Sequence, residues 1–437
     1  MSRQHIYNQK EEVKKYASEL DKEEPEVAIV RLDKRTIERT VLSLVLYCQT
    51  PYSGVVSFFE NVYGMTISTG KISGIIAEAT ERAEAFDATV DLSKIQQGAN
   101  DEIFQCGIPV LTGIDPESTY TYLLEEAENR TAETWAFHME CAKEQGLNLE
   151  VSINDGGTGL MSGIPQAFPD IEIQADTFHT LYTLGKEVSK LERKANKLIK
   201  NEAALLENLE GKRPRAKNKE KLEKIRPLTE EAVRVYDLMY ILLSWLKEML
   251  SFSGYSMAEA MAQTEWILYE MDIIAVGSPS LQKEIQKVRK MLPSLLSFIG
   301  RLERRMEVVA GETGIPAEAF RLMYQQLTHK SGSPQDCEIQ GKLSLMLAEQ
   351  YSKAQSIFLQ LLNRTKKASS IVENLNGRIR VFIEVKRIIP TRFFVLLKVF
   401  FNTRRYPRSR YKERVGKSPL ELLTGNPEPD FLEALGY

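Results

Sequence analysis

Leu149, Val151 and Ile153 alternate with polar residues, and Asn154-Asp155-Gly156-Gly157 then stops the run with turn formers. This predicts a short buried strand with Asp155 at its C-terminal lip. A second alternating run, Ile171, Ile173 and Ala175, leads into Asp176-x-x-His179 at the start of a helix. Open α/β sheets bind ligands at such strand ends. Two acidic groups and an imidazole are therefore expected at one sheet edge, and an all-helical chain is excluded even though most of the surrounding sequence has helical period.

A chain of 437 residues can bury a sizeable core and is long enough for several domains. The longest apolar run, Phe393 to Phe401, is about half of the ~20 residues a membrane span needs, and the first residues lack the apolar stretch of a signal peptide. A cytoplasmic, nucleoid-associated protein is expected. Cys48, Cys106, Cys141 and Cys337 show no paired spacing, so they read as reduced, small buried hydrophobes and not as zinc ligands. The net charge of −3 hides an asymmetry: from Arg364 to Lys417 there are sixteen Lys or Arg against three Glu, a local +13. A field of that sign attracts a polyanion, phosphates above all.

Taken in order, residues 1–32 read as a polar arm. Residues 33–90 hold three helices, the first ended by Thr50-Pro51, the second closed by Gly64 and the third capped near Ser68. Helix, glycine turn and capped helix match a helix-turn-helix, with Thr69, Lys71 and Ser73 offered to DNA, although a plain three-helix bundle has the same pattern. A polar linker from Asp91 to Asn100 precedes three runs rich in β formers, 101–106, 109–114 and 118–124, which predict an antiparallel meander. A helix over 131–145, the strand ending at Asp155, a further helix and the strand before Asp176 complete the order of a ribonuclease-H-like α/β core over 98–183. Residues 184–366 read as a large all-helical insertion, helical again from Asp336 to Arg364, with Trp245 and Trp266 in its core and stacking on an unpaired base as their alternative role. The core resumes at 367–390 with a helix capped by Ser369 or Ser370, and 391–437 form a basic C-terminal segment.

If so folded, Asp101, Asp155 and Glu373 meet. Three carboxylates at one point repel unless cations hold them, and oxygen-only ligands favour Mg²⁺ or Mn²⁺ over zinc. Two such ions can activate a water or a 3′ hydroxyl at a phosphodiester. Arg378 and Arg380 follow Glu373 on its helix, and Arg404 and Arg405 lie further on, all within the basic stretch. Each position has a plainer reading: Glu102 competes with Asp101, Asp155 could be an ordinary Asp-Gly turn, Glu384 competes with Glu373, and Asp176 and His179 serve as support for the site. Gly156-Gly-Thr-Gly159 lacks the Gly-Lys-Ser/Thr that a nucleotide loop requires.

Asp101-Glu-Ile-Phe, Ile153-Asn-Asp155-Gly, Asp176-x-x-His179 and Val372-Glu-Asn-Leu-Asn-Gly-Arg-Ile-Arg380 together resemble a bacterial insertion-sequence transposase of the DDE type. The Asp-x-x-His element and the helical insertion are similar to the Mutator-like and hAT groups. The resemblance implies that Asp101, Asp155 and Glu373 are the catalytic, metal-binding triad. It also implies partners: double-stranded DNA at terminal inverted repeats and target, and a second copy of the chain, since two ends are handled together. A nuclease or resolvase that hydrolyses without joining, and a non-catalytic DNA-binding protein derived from a transposase, share these features.

Overall fold

The computed structural model describes residues 8–15, 32–210, 216–367, 370–386 and 389–437. Most of the expected arm, and Ser369 as a helix cap, lie outside them. The chain divides into two units, 1–76 with Tyr437, and 77–436.

The first unit contains α1 (8–15), α2 (Lys34–Leu42), α3 (Tyr52–Tyr63) and the start of α4 (Thr69–Asp87). Asp33 caps α2 by accepting from Thr36 N at 2.8 Å. The first predicted helix does not stay α-helical to Thr50: Ser43–Tyr47 widen into a π turn. Gly64, at φ 60°, ends α3 in the left-handed region open to glycine. Ser68 Oγ accepts from Lys71 N at 3.1 Å at the head of α4, where Thr69, Lys71 and Ser73 are exposed and Ile72, Ile75 and Ile76 are buried.

The second unit is mixed α/β. Its strands are β1 (Gln97–Gln105), β2 (Ile108–Ile114), β3 (Thr121–Glu126), β4 (Val151–Asn154) and β5 (Glu172–Ala175), with α5 (Ala132–Glu144) and α6 (Thr158–Ala167) between them. They form one five-stranded sheet in the order β3-β2-β1-β4-β5. The β1-β2 and β2-β3 pairs are antiparallel, whereas β1-β4 and β4-β5 are parallel. β1 starts inside the expected linker, because Gln97, Gly98 and Ala99 pair with β4. Asp101 is consequently in mid-strand and not at its start. Polar composition argued for a linker there, and tertiary pairing overrode it.

One face of the sheet carries α5 and α6, with Trp135, Met139, Leu160 and Ile164 packed among Leu111, Tyr122 and Leu123. Phe137 and Cys141, also apolar members of α5, are exposed. The four cysteines are all exposed, which corrects their reading as buried hydrophobes: Cys106 sits in the β1–β2 turn and Cys141 on the outer side of α5. The helical block follows as α7 (Thr177–Glu210), α8 (Ala216–Met249), α9 (Met257–Ile274), α10 (Pro279–Thr313), α11 (Ala317–Gln325), α12 (Pro334–Leu347) and α13 (Tyr351–Arg364). The stretch over 336–364 is helical as expected but is divided at Ala348, whose φ is 44°. Trp245 and Trp266, expected in the core, are exposed. They lie on the outer stripes of α8 and α9, and the inner stripes, through Leu242, Leu246, Ile267 and Leu268, fill the core instead.

Entry to and exit from the block lie together, since Thr177 Oγ1 donates to the Lys367 carbonyl at 3.0 Å. The chain returns in α14 (Ser370–Lys386) and α15 (Phe393–Thr403), and ends with α16 (Pro419–Thr424) and α17 (Phe431–Ala434). The segment expected as a basic tail thus contains a core helix. Phe393, Phe394, Leu396, Leu397, Phe400 and Phe401 are buried, each contributing ~1.5–3 kcal/mol. The Asn402 amide pairs with both backbone groups of Thr121 in β3 at 2.8 Å. Among the described residues no helix is long and apolar enough to cross a membrane.

Candidate active site

Register brings the first two acidic residues level. Ala99 of β1 pairs with Ile153 of β4 in parallel. Two residues further along each chain come Asp101, which by the period of two keeps to the face of the sheet that Ala99 occupies, and Asp155, in the turn just past the end of β4. Asp155 leaves β4 into a turn in which Gly157 N donates to its Oδ1 at 3.0 Å, with Gly156 at φ 86°. Asp155 is thus an Asp-Gly turn residue whose charge reaches Asp101.

α14 covers that face at β1 and β2. Asn376, fully buried, donates from Nδ2 to Asp101 Oδ2 at 2.6 Å, and the Thr112 hydroxyl lies 3.2 Å from its Oδ1. Thr112 is the register partner of Asp101 in β2. Asn376 was not singled out in the sequence; its signal is its place one turn after Glu373, on the same helix face.

Glu373 occupies the first turn of α14, half-buried. Asp101 is pushed up to about 7, mainly by burial. The Glu102 N–H opposes that rise, and the negative charges of Asp155, Glu373 and Glu102 add to it. Asp101, Asp155 and Glu373 are therefore electrostatic neighbours. The two competitors are placed differently, although Glu102, as the next residue in the strand, also raises Asp101 by its charge. Glu102 turns to the opposite face and pairs with Arg130 at 2.6 Å, while Glu384 is exposed near the far end of α14.

Asp176 extends the same edge by one strand. Its N–H donates to the Asn154 carbonyl at 2.8 Å, and its Oδ1 accepts from Phe178 N at 2.7 Å at the head of α7. Asp176 is buried, and His179 is half-buried one turn into the helix. The Gly156–Gly159 run has a packing role: a Cβ on Gly159 would fall onto the Arg130 carbonyl, and one on Gly163 would lie 2.6 Å from Trp135 Cβ. These two glycines let α6 approach α5.

The donor set suits a hard divalent cation, being all oxygen with anionic neighbours whose repulsion a cation relieves. Among the described residues no three acidic, His or Cys side chains are gathered closely enough to enclose an ion.

The expected DNA-contacting arginines differ in availability. Arg380 and Arg404 are exposed, Arg404 with its guanidinium 5.6 Å over the Phe400 ring. Arg378 lies 4.1 Å over the Phe401 ring, its guanidinium lowered from the usual arginine range by burial. Arg405 is held by Glu421 at 3.1 Å. Arg364, Arg392 and Lys398 also pair with carboxylates outside the basic segment, namely Glu117, Glu84 and Asp87.

No family model matches this chain, and no curated protein does either.

Proposed function

We propose that this protein is a DNA transposase of the DDE type that cuts phosphodiester bonds at transposon ends and joins the freed 3′ hydroxyl to target DNA. One observation carries the reading: Asp101 in β1 and Asp155 just past the end of β4 follow the paired Ala99 and Ile153 by two residues each, and the charges of Asp155 and of Glu373 on α14 both raise the Asp101 carboxyl. The sheet order, with the helix that bears Glu373 returning to β1 after an all-helical block, supports a ribonuclease-H-like core with a helical insertion. Gly64 between α3 and the Ser68-capped α4 supports a helix-turn-helix with Thr69, Lys71 and Ser73 toward DNA.

Asp101, Asp155 and Glu373 would hold Mg²⁺ or Mn²⁺, as two ions. When bound, such ions activate a water or 3′ hydroxyl and stabilise the leaving oxygen. The chain's own residues prepare the place. Asn376 fixes the rotamer of Asp101, the Gly157 N–H fixes that of Asp155, and Arg130 holds Glu102 away. Arg380 and Arg404 offer exposed guanidinium groups for backbone phosphates.

An Asp155→Asn protein is expected to bind transposon-end DNA in a footprint like the parent's while losing nicking with Mg²⁺ or Mn²⁺. Nicking at the parental rate would remove Asp155 from the site. A strand-transfer assay with pre-cut ends separates joining from hydrolysis alone, and products of hydrolysis only would make the protein a nuclease.

A further inference from the structure

Trp245 and Trp266 stack with ring centroids 6.0 Å apart and planes 28° from parallel, yet they are 43% and 47% exposed. Folding ordinarily hides most of a tryptophan. Leu238 and Ile241 continue the α8 side of the stack at helical spacing, and Tyr269, Ile273 and Val276 continue the α9 side; all are exposed. Because α8 packs on α9 and the two indoles join their stripes, these side chains make one ribbon. At ~150–250 Å² per large side chain, the exposed fractions amount to about 700 Å² of apolar surface. That exceeds the ~300–600 Å² of the largest patch on a typical monomer, and approaches the ~800 Å² each partner gives to a standard interface.

The margins of the ribbon select its occupant. Along α8 the seam reads Arg234, Leu238, Ile241, Trp245 and Glu248, the alternating four-and-three spacing of a coiled-coil seam. Arg234 and Glu248 stand one heptad on either side of Ile241. Two antiparallel copies of α8 related by a two-fold axis at Ile241 set Arg234 of each against Glu248 of the other. Among the described residues Arg234 meets only Glu231, one turn earlier, through two hydrogen bonds in a solvent-exposed pair. Asp237 and Glu270 add negative charge beside the apolar stripes, which disfavours nucleic acid or an anionic lipid surface. We infer that this ribbon is where two copies of the chain pair, isologously, through α8 and α9. The inference does not depend on the transposase reading.

Sedimentation velocity on the full chain tests it. The parent sediments as a dimer at micromolar concentration, and Trp245→Glu with Trp266→Glu yields a monomer whose far-UV circular dichroism is unchanged. Arg234→Glu and Glu248→Arg, both at exposed positions that folding does not need, each weaken the dimer about tenfold. The two reversals in one chain restore it, because each copy then presents the swapped pair. A monomeric parent, a dimer that survives the double tryptophan change, or two reversals that fail to compensate would each overturn the assignment.

Discussion

Asp101 keeps its proton to a pH at which an ordinary aspartate is ionised. Burial and the neighbouring carboxylates push it up to about 7, against ~3.9 in an unfolded chain. Between those values the folded state binds the extra proton, so the stability this group contributes is full below ~4 and is lost as pH rises through about 7. Urea unfolding is expected to show the parent weakening by ~1–3 kcal/mol from pH 5 to 8, the full shift being discounted for remaining solvent contact. Asp101→Asn should flatten that slope. A parent whose stability is level across the range would contradict the raised carboxyl. Asn376→Ala strands Thr112 and Asp101 without their amide partner, and should cost ~1–3 kcal/mol in the same measurement. Asp101 and Asp155 could be nominated from turn chemistry and strand alternation. Asn376 could not, because a buried asparagine in a helix gives no local sign of which strand it faces.

At the scale of elements, close approach and edge protection do most of the positioning. Gly159→Ala puts a methyl against the Arg130 carbonyl and forces α6 from α5. A loss of ~1–3 kcal/mol is expected from overpacking, read as a lowered Tm. The outer edge of β5 is closed by α10: Ser294 Oγ accepts from Ala175 N at 2.9 Å and donates to the Ile173 carbonyl at 2.7 Å. Ser294→Ala should leave that edge unpaired and speed hydrogen exchange at Ala175 by tenfold or more, given ~1.5 kcal/mol per bond lost. Exchange unchanged from the parent would mean that α10 guards the edge by packing alone. Helix boundaries at Gly64 and Ser68 were legible because caps act within a few residues. The break at Ala348 was not, since neither Gly nor Pro marks it.

For the whole molecule, charge bookkeeping changes once the chain is folded. The +13 segment has Arg364, Arg392, Lys398 and Arg405 tied to acids from elsewhere, so fewer cations face outward than the sequence suggests. DNA affinity measured against salt should therefore lose about one unit of log-log slope in Arg404→Ala. Arg405→Ala should change it by less than half as much, because Glu421 already neutralises that guanidinium. Equal effects would show that DNA draws Arg405 away from Glu421. The sequence by itself determined the strand-bearing window and the helical character of the long stretch that follows it, because hydrophobic period and turn chemistry are local properties. Only the tertiary structure decided that β1 begins at Gln97, that Glu373 and not Glu384 adjoins Asp101, that Asn376 fixes the site, and that two tryptophans lie outside. Each of these depends on which distant segment packs alongside, and long-range packing leaves no periodic trace in the chain.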